Sequence, residues 1–116
     1  MSDDTLDLPE LMERVQEDTD LILELFDIYT TDFVAKRKAL EEAIKKNQAE
    51  ALRSVAHSLK GSSGNISAKK LHGLFYKLED MGKKGAVNGA QDILKEVDAQ
   101  YEALKVRMSE IQKELK

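Results

Sequence analysis

The 116-residue sequence contains no cysteine, no tryptophan, one proline and two histidines. Without cysteine the chain can form neither disulfides nor thiolate metal sites, and it has no cysteine nucleophile. Its apolar runs all fall short of the ~18 residues that a transmembrane helix needs, and its first residues lack the basic and apolar regions of a signal peptide. We therefore expect a cytoplasmic protein that does not insert directly into a membrane.

Composition narrows the functional classes further. The 18 basic residues are outnumbered by 22 acidic ones, and the resulting net charge of −4 argues against nucleic acid as the main partner. The length suits one domain of ~100–150 residues, so we expect a single domain over residues 1–116. The sequence contains no nucleotide-binding motif and no helical pair of metal-binding histidines, so it predicts no metal site and no ATP-dependent activity of its own.

The residue pattern predicts an all-α fold. Ala, Leu, Glu and Lys dominate, and no segment alternates apolar and polar residues as a strand would. The first expected helix is short, from about Leu8 to Val15, and the second is long, capped by Asp18 or Thr19 and ending near Asn47. A third helix runs from about Gln48 to Ser63, with a helix end and loop at Gly61–Asn65. A fourth helix begins at Ser67 and stops at Gly82–Gly85, and the last helix begins at Ala90. Short connections between amphipathic helices favour an up-down four-helix bundle with a short additional N-terminal helix.

The last predicted helix carries a regular apolar seam. Its apolar residues are separated alternately by four and three positions: Ala90, Leu94, Val97, Tyr101, Leu104, Met108, Ile111 and Leu115. This spacing is typical of a left-handed bundle or a coiled coil. A monomer would bury the seam in its own bundle, whereas a helical scaffold or coiled-coil interaction protein would associate through it. We expect a monomer, and the oligomeric state distinguishes the two readings.

Four residues of the third helix lie on a face of their own. His57, Lys60, Gly61 and Gly64 are spaced at i, i+3, i+4 and i+7, away from the apolar stripe of that helix. Each glycine costs up to ~1 kcal/mol relative to alanine in a helix interior. Glycine here removes side-chain bulk beside an imidazole, which would let another protein bring a reactive group close to His57.

Polar groups near this face suit an anion on the imidazole. Lys60 lies one turn from His57, where its ammonium can act as a point counter-charge to a phosphoryl group. The hydroxyls of Ser62 and Ser63 could either cap the helix end or hydrogen-bond an oxyanion. The other histidine, His72, has no partner at metal-binding or triad spacing, and we expect it to be structural or simply exposed.

Residues 56–63, which read AHSLKGSS, resemble the signature of histidine-containing phosphotransfer (HPt) domains of two-component phosphorelays. The resemblance covers most of the chain and implies a four-helix bundle that presents an exposed histidine. It implies that His57 accepts a phosphoryl group, that Lys60 supports that group, and that Gly61 admits the partner's active site, with Ser62 and Gly64 on the same partner-binding surface.

The resemblance also implies the reaction and its partners. The histidine would take the phosphoryl group from a receiver-domain aspartate or a histidine kinase and pass it to a response-regulator aspartate. The partners would be receiver domains and hybrid histidine kinases, and Mg²⁺ would be bound by the receiver alone. The chain itself would be a phosphocarrier without a cofactor, either separate in the cytoplasm or part of a membrane-anchored hybrid kinase.

Two further positions bear on the resemblance. Glu79 falls where some family members carry a Glu or Gln that hydrogen-bonds the non-reacting ring nitrogen, which would set the imidazole tautomer; the alternative is that Glu79 is plain solvated surface. Ser67 and Ala68 stand where the family usually has a glycine before a small or apolar residue. We therefore expect a different local bend, with Ser67 as the N-cap of the fourth helix.

Overall fold

The computed structural model describes residues 4–115, which form five helices and no strand. The helices are α1 (Leu8–Arg14), α2 (Thr19–Lys45), α3 (Ala49–Asn65), α4 (Lys69–Lys83) and α5 (Ala90–Leu115). Helices α2 to α5 each pack on the next along the chain, and α5 packs back on α2, which closes a bundle 44 Å long. Helix α1 packs on α2. The all-α bundle with a short N-terminal helix is confirmed.

Side-chain caps define the starts of the first two helices. Asp7 Oδ1 accepts a hydrogen bond from the backbone N–H of Glu10 at 3.1 Å, and Asp18 Oδ1 accepts one from Leu21 at the same distance. Such caps satisfy backbone N–H groups that have no partner within the helix. Asp18 is therefore the cap of α2, and Thr19 is its first helical residue.

The apolar stripes predicted for the helices meet in one core. In α5 the seam from Ala90 to Ile111 is buried at every predicted position, and Leu115 packs against the core at its edge. Tyr101 of this seam stacks on Phe33 of α2 with ring centroids 3.7 Å apart. The chain thus buries this apolar seam inside its own bundle. The seam is then not exposed for pairing with a second chain, as a coiled-coil scaffold would require.

The end of α3 differs from the prediction. Residues 61–65, expected as a helix end and loop, are helical, and α3 ends only at Asn65. The physical reason is Ser63, whose fully buried side chain hydrogen-bonds the hydroxyl of Tyr29 at 2.8 Å. The backbone carbonyl of Ser63 then accepts from the N–H of Ala68, which closes the turn. Tertiary packing outweighs the low helix propensity of two glycines and two serines.

The start of α4 also differs from the prediction. Ser67 does not cap α4, because the N-cap is Ala68, which makes no side-chain capping bond. The buried Ser67 hydroxyl instead donates to Glu10 Oε1 at 2.8 Å, and its backbone has a φ of 59°. Glycine adopts this left-handed conformation at little cost. A glycine at position 67 would fit this backbone shape.

Helices α3 and α4 approach each other closely at Gly82. A Cβ atom on Gly82 would lie 2.6 Å from the backbone nitrogen of Arg53 and 2.8 Å from the carbonyl oxygen of Ala49. These are backbone atoms of α3, so they could move only if the helix moved. The absence of a side chain at Gly82 therefore sets the separation of the two helices.

We expect Gly82→Ala to destabilise the bundle by about 1–3 kcal/mol, because the added methyl group must push α3 away from α4. Gly73→Ala is the matched control on the same helix, since a Cβ there would meet no atom within 4 Å. That change should stabilise the protein by about 0.5–1 kcal/mol through helix propensity. Urea unfolding of both variants measures the difference, and equal effects would contradict the close-approach explanation.

Candidate functional site

His57 lies on the exposed side of α3, and one of its two ring nitrogens is hydrogen-bonded. Its side chain is 63% exposed, and its Nδ1 atom lies 2.7 Å from Oε2 of Glu79, a residue of α4. An ionised carboxylate can only accept hydrogen bonds, so Nδ1 is the donor. In the neutral imidazole this leaves the lone pair on Nε2, the atom farther from Glu79.

Glu79 is buried although it is charged. Its side chain is 4% exposed, and its second oxygen, Oε1, lies 2.6 Å from Nζ of Lys60. The hydrogen bond from Lys60 is the main cause that lowers the pKa of Glu79 below its ordinary value; burial opposes this shift, and the bond from His57 adds to it. The reading of Glu79 as plain solvated surface is therefore wrong.

The ammonium group of Lys60 is already engaged. Its side chain is 22% exposed, it contacts Glu79, and it lies over the ring of Tyr76 at 5.6 Å from the centroid. Lys83 Nζ lies 4.0 Å from Glu79 Oε2 and is more exposed. Sequence reasoning did not place Tyr76 or Lys83 at this site, although both are one turn from Glu79 on α4, the spacing that places side chains side by side.

The glycines of the His57 face have different surroundings. A Cβ on Gly61 would meet nothing within 4 Å, so this position is open to solvent. A Cβ on Gly64 would lie 3.3 Å from Cδ2 of His72, so this glycine makes room for a side chain of the same protein. The structure thus brings His57, Lys60 and Gly61 together at one surface and places Gly64 beside His72.

The hydroxyls of Ser62 and Ser63 hydrogen-bond groups other than His57. The Ser62 hydroxyl donates to the carbonyl of Leu59 in its own helix at 3.2 Å. Ser63 is buried against Tyr29, so the expectation that its hydroxyl caps the helix end or binds an oxyanion is wrong. Next to His57, the hydroxyl of Ser58 instead contacts Lys36 of α2.

Residues 4–115 contain neither a metal-binding cluster nor a membrane-spanning helix. In this range no three His, Asp or Glu side chains are grouped so that they could hold a metal ion. No helix there is both long and apolar enough to cross a membrane. His72 is exposed and lines a cavity of about 170 Å³ between α1 and the turn that joins α3 to α4.

This exposed histidine on a helical bundle, steadied by a buried carboxylate, fits a domain that presents an imidazole to other proteins. The family model of the Hpt domain matches residues 24–107, most of the chain. The chain therefore belongs to the Hpt domain family, and it is a histidine phosphotransfer module of phosphorelay systems.

A solved structure of the same kind is similar over nearly its whole length. It is the crystal structure of histidine-containing phosphotransfer protein B (HptB) from Pseudomonas aeruginosa PAO1. The two sequences are 26% identical, the match covers 94% of this chain and 96% of that one, and the TM-score is 0.86. No significant match was found among curated proteins. This match covers more of the chain than the family model does.

The lowered pKa of Glu79 predicts how stability depends on pH. Because the unfolded chain binds a proton at this carboxylate more readily than the folded chain, the ion pairs stabilise the fold above the unfolded pKa and are lost as pH falls through the folded pKa. We expect the stability difference between wild type and Glu79→Gln to shrink as pH falls from about 5 to about 3. Thermal unfolding across this range measures it, and a constant difference would contradict the role of the charge.

Proposed function

We propose that His57 is the phosphoacceptor and that Nε2 is its reacting atom. The observation that carries this proposal is that Nδ1 of an exposed imidazole is bound by the buried carboxylate of Glu79, so that in the neutral ring the lone pair is on Nε2. A neutral nitrogen with its lone pair directed to solvent is the form of histidine that can act as a nucleophile.

The transfer is a displacement at phosphorus. The Nε2 lone pair attacks the phosphoryl group of a receiver aspartate, the N–P bond forms, and the P–O bond to the aspartate carboxylate breaks, so the carboxylate leaves with the bonding electrons. Nδ1 keeps its proton throughout and keeps its hydrogen bond to Glu79. The reverse displacement, with a response-regulator aspartate as nucleophile, returns the imidazole to its starting form.

The chain holds the reactive histidine in place for its partner, and the partner supplies the metal ion. The carboxylate beside His57 is Glu79, and both of its oxygens are already bound, one to His57 and one to Lys60. We therefore assign Mg²⁺, which neutralises charge in phosphoryl transfer, to the receiver domain. In this proposal the chain is a phosphocarrier without kinase activity of its own.

The partner is a receiver domain, supplied by a response regulator or a hybrid kinase, and it approaches along the face of α3 that Gly61 leaves open. The chain works as a monomer in the cytoplasm, alone or attached to a membrane-anchored kinase. Burial of the α5 seam inside the bundle supports the monomer, because that seam is then not available to a second copy.

The acceptor assignment is tested with phosphoramidate, a small donor that needs no partner protein. We expect wild type to gain one acid-labile, base-stable phosphate by intact mass and His57→Gln to gain none. His72→Gln is the matched control, because it removes the other histidine of the sequence, and it should be phosphorylated like wild type. Uptake by a folded His57→Gln protein would show that the acceptor is another residue.

The open position at Gly61 is tested by adding bulk there. A Cβ at position 61 would meet no atom within 4 Å, so Gly61→Leu should fold and should still accept phosphate from phosphoramidate. Transfer to a receiver domain that exchanges phosphate with wild type should fall by at least about tenfold, because a misplaced reacting group forfeits the proximity on which transfer depends.

If Gly61→Leu slowed phosphoryl transfer with phosphoramidate as much as with the receiver, the substitution would be shown to damage His57 itself. Gly73→Leu is the control for adding leucine at an exposed helical glycine, because a Cβ there is also free of contacts. It should leave uptake from phosphoramidate unchanged.

A further inference from the structure

We propose that Asn88 is a site of spontaneous covalent modification in the folded protein, where the side-chain amide is lost and a succinimide forms with the backbone nitrogen of Gly89. The site lies in the loop between α4 and α5, and it is independent of the acceptor role of His57. Its reactants are Asn88, Gly89 and water, so the reaction requires no cofactor and no partner protein.

Asn88 and Gly89 form the middle of a tight turn just before α5. Both residues are exposed, and a hydrogen bond from the backbone N–H of Ala90 to the carbonyl of Val87 closes the turn at 3.0 Å. Gly89 has a φ of 88°, which suits glycine at the third position of a type II turn. The two exposed residues are thus flanked on either side by the buried Val87 and Ala90.

The first observation is that the backbone N–H of Gly89 has no hydrogen-bond acceptor among residues 4–115. Glycine also carries no side chain beside this nitrogen. A Cβ on Gly89 would meet only the end of the Met81 side chain, at 3.9 Å. The nitrogen can therefore approach the Asn88 amide without losing a hydrogen bond of its own and without a steric obstacle from residue 89.

The second observation comes from the other two asparagines of the sequence, Asn47 and Asn65. Both are exposed, so exposure does not distinguish the three. Asn47 is followed by Gln48, whose backbone N–H donates to a carbonyl of α2 at 2.8 Å. Asn65 is the last residue of α3 and is followed by the buried, β-branched Ile66. Only at Asn88 does the next nitrogen belong to a residue without a side chain and remain free of hydrogen bonds.

The reaction is an exchange at the side-chain carbonyl carbon of Asn88. The nitrogen of Gly89 attacks Cγ, the new N–C bond closes a five-membered ring, and the C–N bond to the side-chain amide breaks. The amide nitrogen leaves as ammonia and takes the proton that Gly89 loses. Water then opens the ring at Cγ, which gives aspartate, or at the backbone carbonyl carbon, which gives isoaspartate. One water molecule is consumed and one ammonia molecule is released.

The fold opposes this reaction with little structure. The nitrogen of Gly89 reaches Cγ only when the main chain of Asn88 rotates, and the hydrogen bond that spans this rotation is the one from Ala90 to Val87. An exposed turn closed by one hydrogen bond opens locally at a much lower free energy than the packed helices. We therefore expect the amide to be lost from the folded protein and not only from the unfolded chain.

The two products differ in their effect on the fold. Aspartate adds one negative charge to the net charge of −4 and leaves the main chain unchanged. Isoaspartate adds the same charge and also lengthens the main chain by one carbon between Val87 and Ala90. Because both flanking residues are buried in a packed core, the added carbon must distort the turn or displace the start of α5.

Incubation of the folded full-length chain at physiological temperature and mildly alkaline pH, followed by trypsin digestion and mass spectrometry, tests the proposal. Trypsin cleaves after Lys and Arg, so the three asparagines fall in separate fragments, 47–53, 61–69 and 85–95. We expect fragment 85–95 to gain the mass difference between an amide and a carboxylic acid, and to separate into two products. One of them should accept a methyl group from an isoaspartyl methyltransferase. Fragments 47–53 and 61–69 should stay unchanged over the same period.

Asn88→Gln is the matched control, because it keeps an exposed amide before Gly89 but requires a six-membered ring for closure. Its fragment should show no gain in mass over the same period. Asn88→Asp is the control for stability, because it carries the new charge on an unaltered main chain. It should keep the urea midpoint of wild type, whereas incubated protein enriched in isoaspartate should unfold at a lower urea concentration.

The proposal is overturned if Asn88 stays intact in the folded chain over a period in which the same chain in urea loses the amide, because the turn would then block the reaction. It is also overturned if fragments 47–53 and 61–69 gain mass as fast as fragment 85–95, since the free nitrogen of Gly89 would then give no advantage. Equal urea midpoints for the isoaspartate form and Asn88→Asp would contradict the displacement of α5.

Discussion

The buried carboxylate of Glu79 is the interaction on which the site depends. It joins two helices, because it belongs to α4 while its partners His57 and Lys60 belong to α3. A buried charge in this position is costly unless it is paired, and His57 and Lys60 are its closest partners. The same two helices are held close by Gly82, which places backbone against backbone. Packing at one end of the α3–α4 contact thus supports the orientation of an imidazole farther along it.

The segment before the bundle strengthens the same pair of helices at their connecting turn. The backbone N–H of Asp7 donates to the carbonyl of Ser67 at 3.0 Å, and Lys69 Nζ lies 3.1 Å from carboxylate oxygens of both Asp7 and Glu10. The hydrogen bond from the backbone N–H of Glu10, and then that from Lys69, lowers the pKa of Asp7. The hydroxyl of Ser67, and then Lys69, lowers the pKa of Glu10. The turn at Ser67 departs from the usual glycine, and in this chain its hydroxyl provides an additional bond to α1.

The glycines show why a motif does not assign roles by itself. Gly61 and Gly64 share one face on a helical wheel, yet the first faces open space and the second accommodates His72. Gly82 reads in the sequence as part of a helix stop, but in the structure it permits the close approach of α3 and α4. A glycine reports only that a side chain is absent, and what fills or leaves that space depends on the neighbouring helix.

The sequence alone determined the helices, the buried seam of α5 and the exposed face that carries His57, because these follow from the 3.6-residue period within one helix. It also led to the family, through residues 56–63. Only the tertiary structure decided that Glu79 is buried, that Lys60 is bound to it, and that α3 continues past Ser63. These features depend on the register and distance between helices, which are set by packing among residues far apart in the chain and leave no mark on the spacing within either helix.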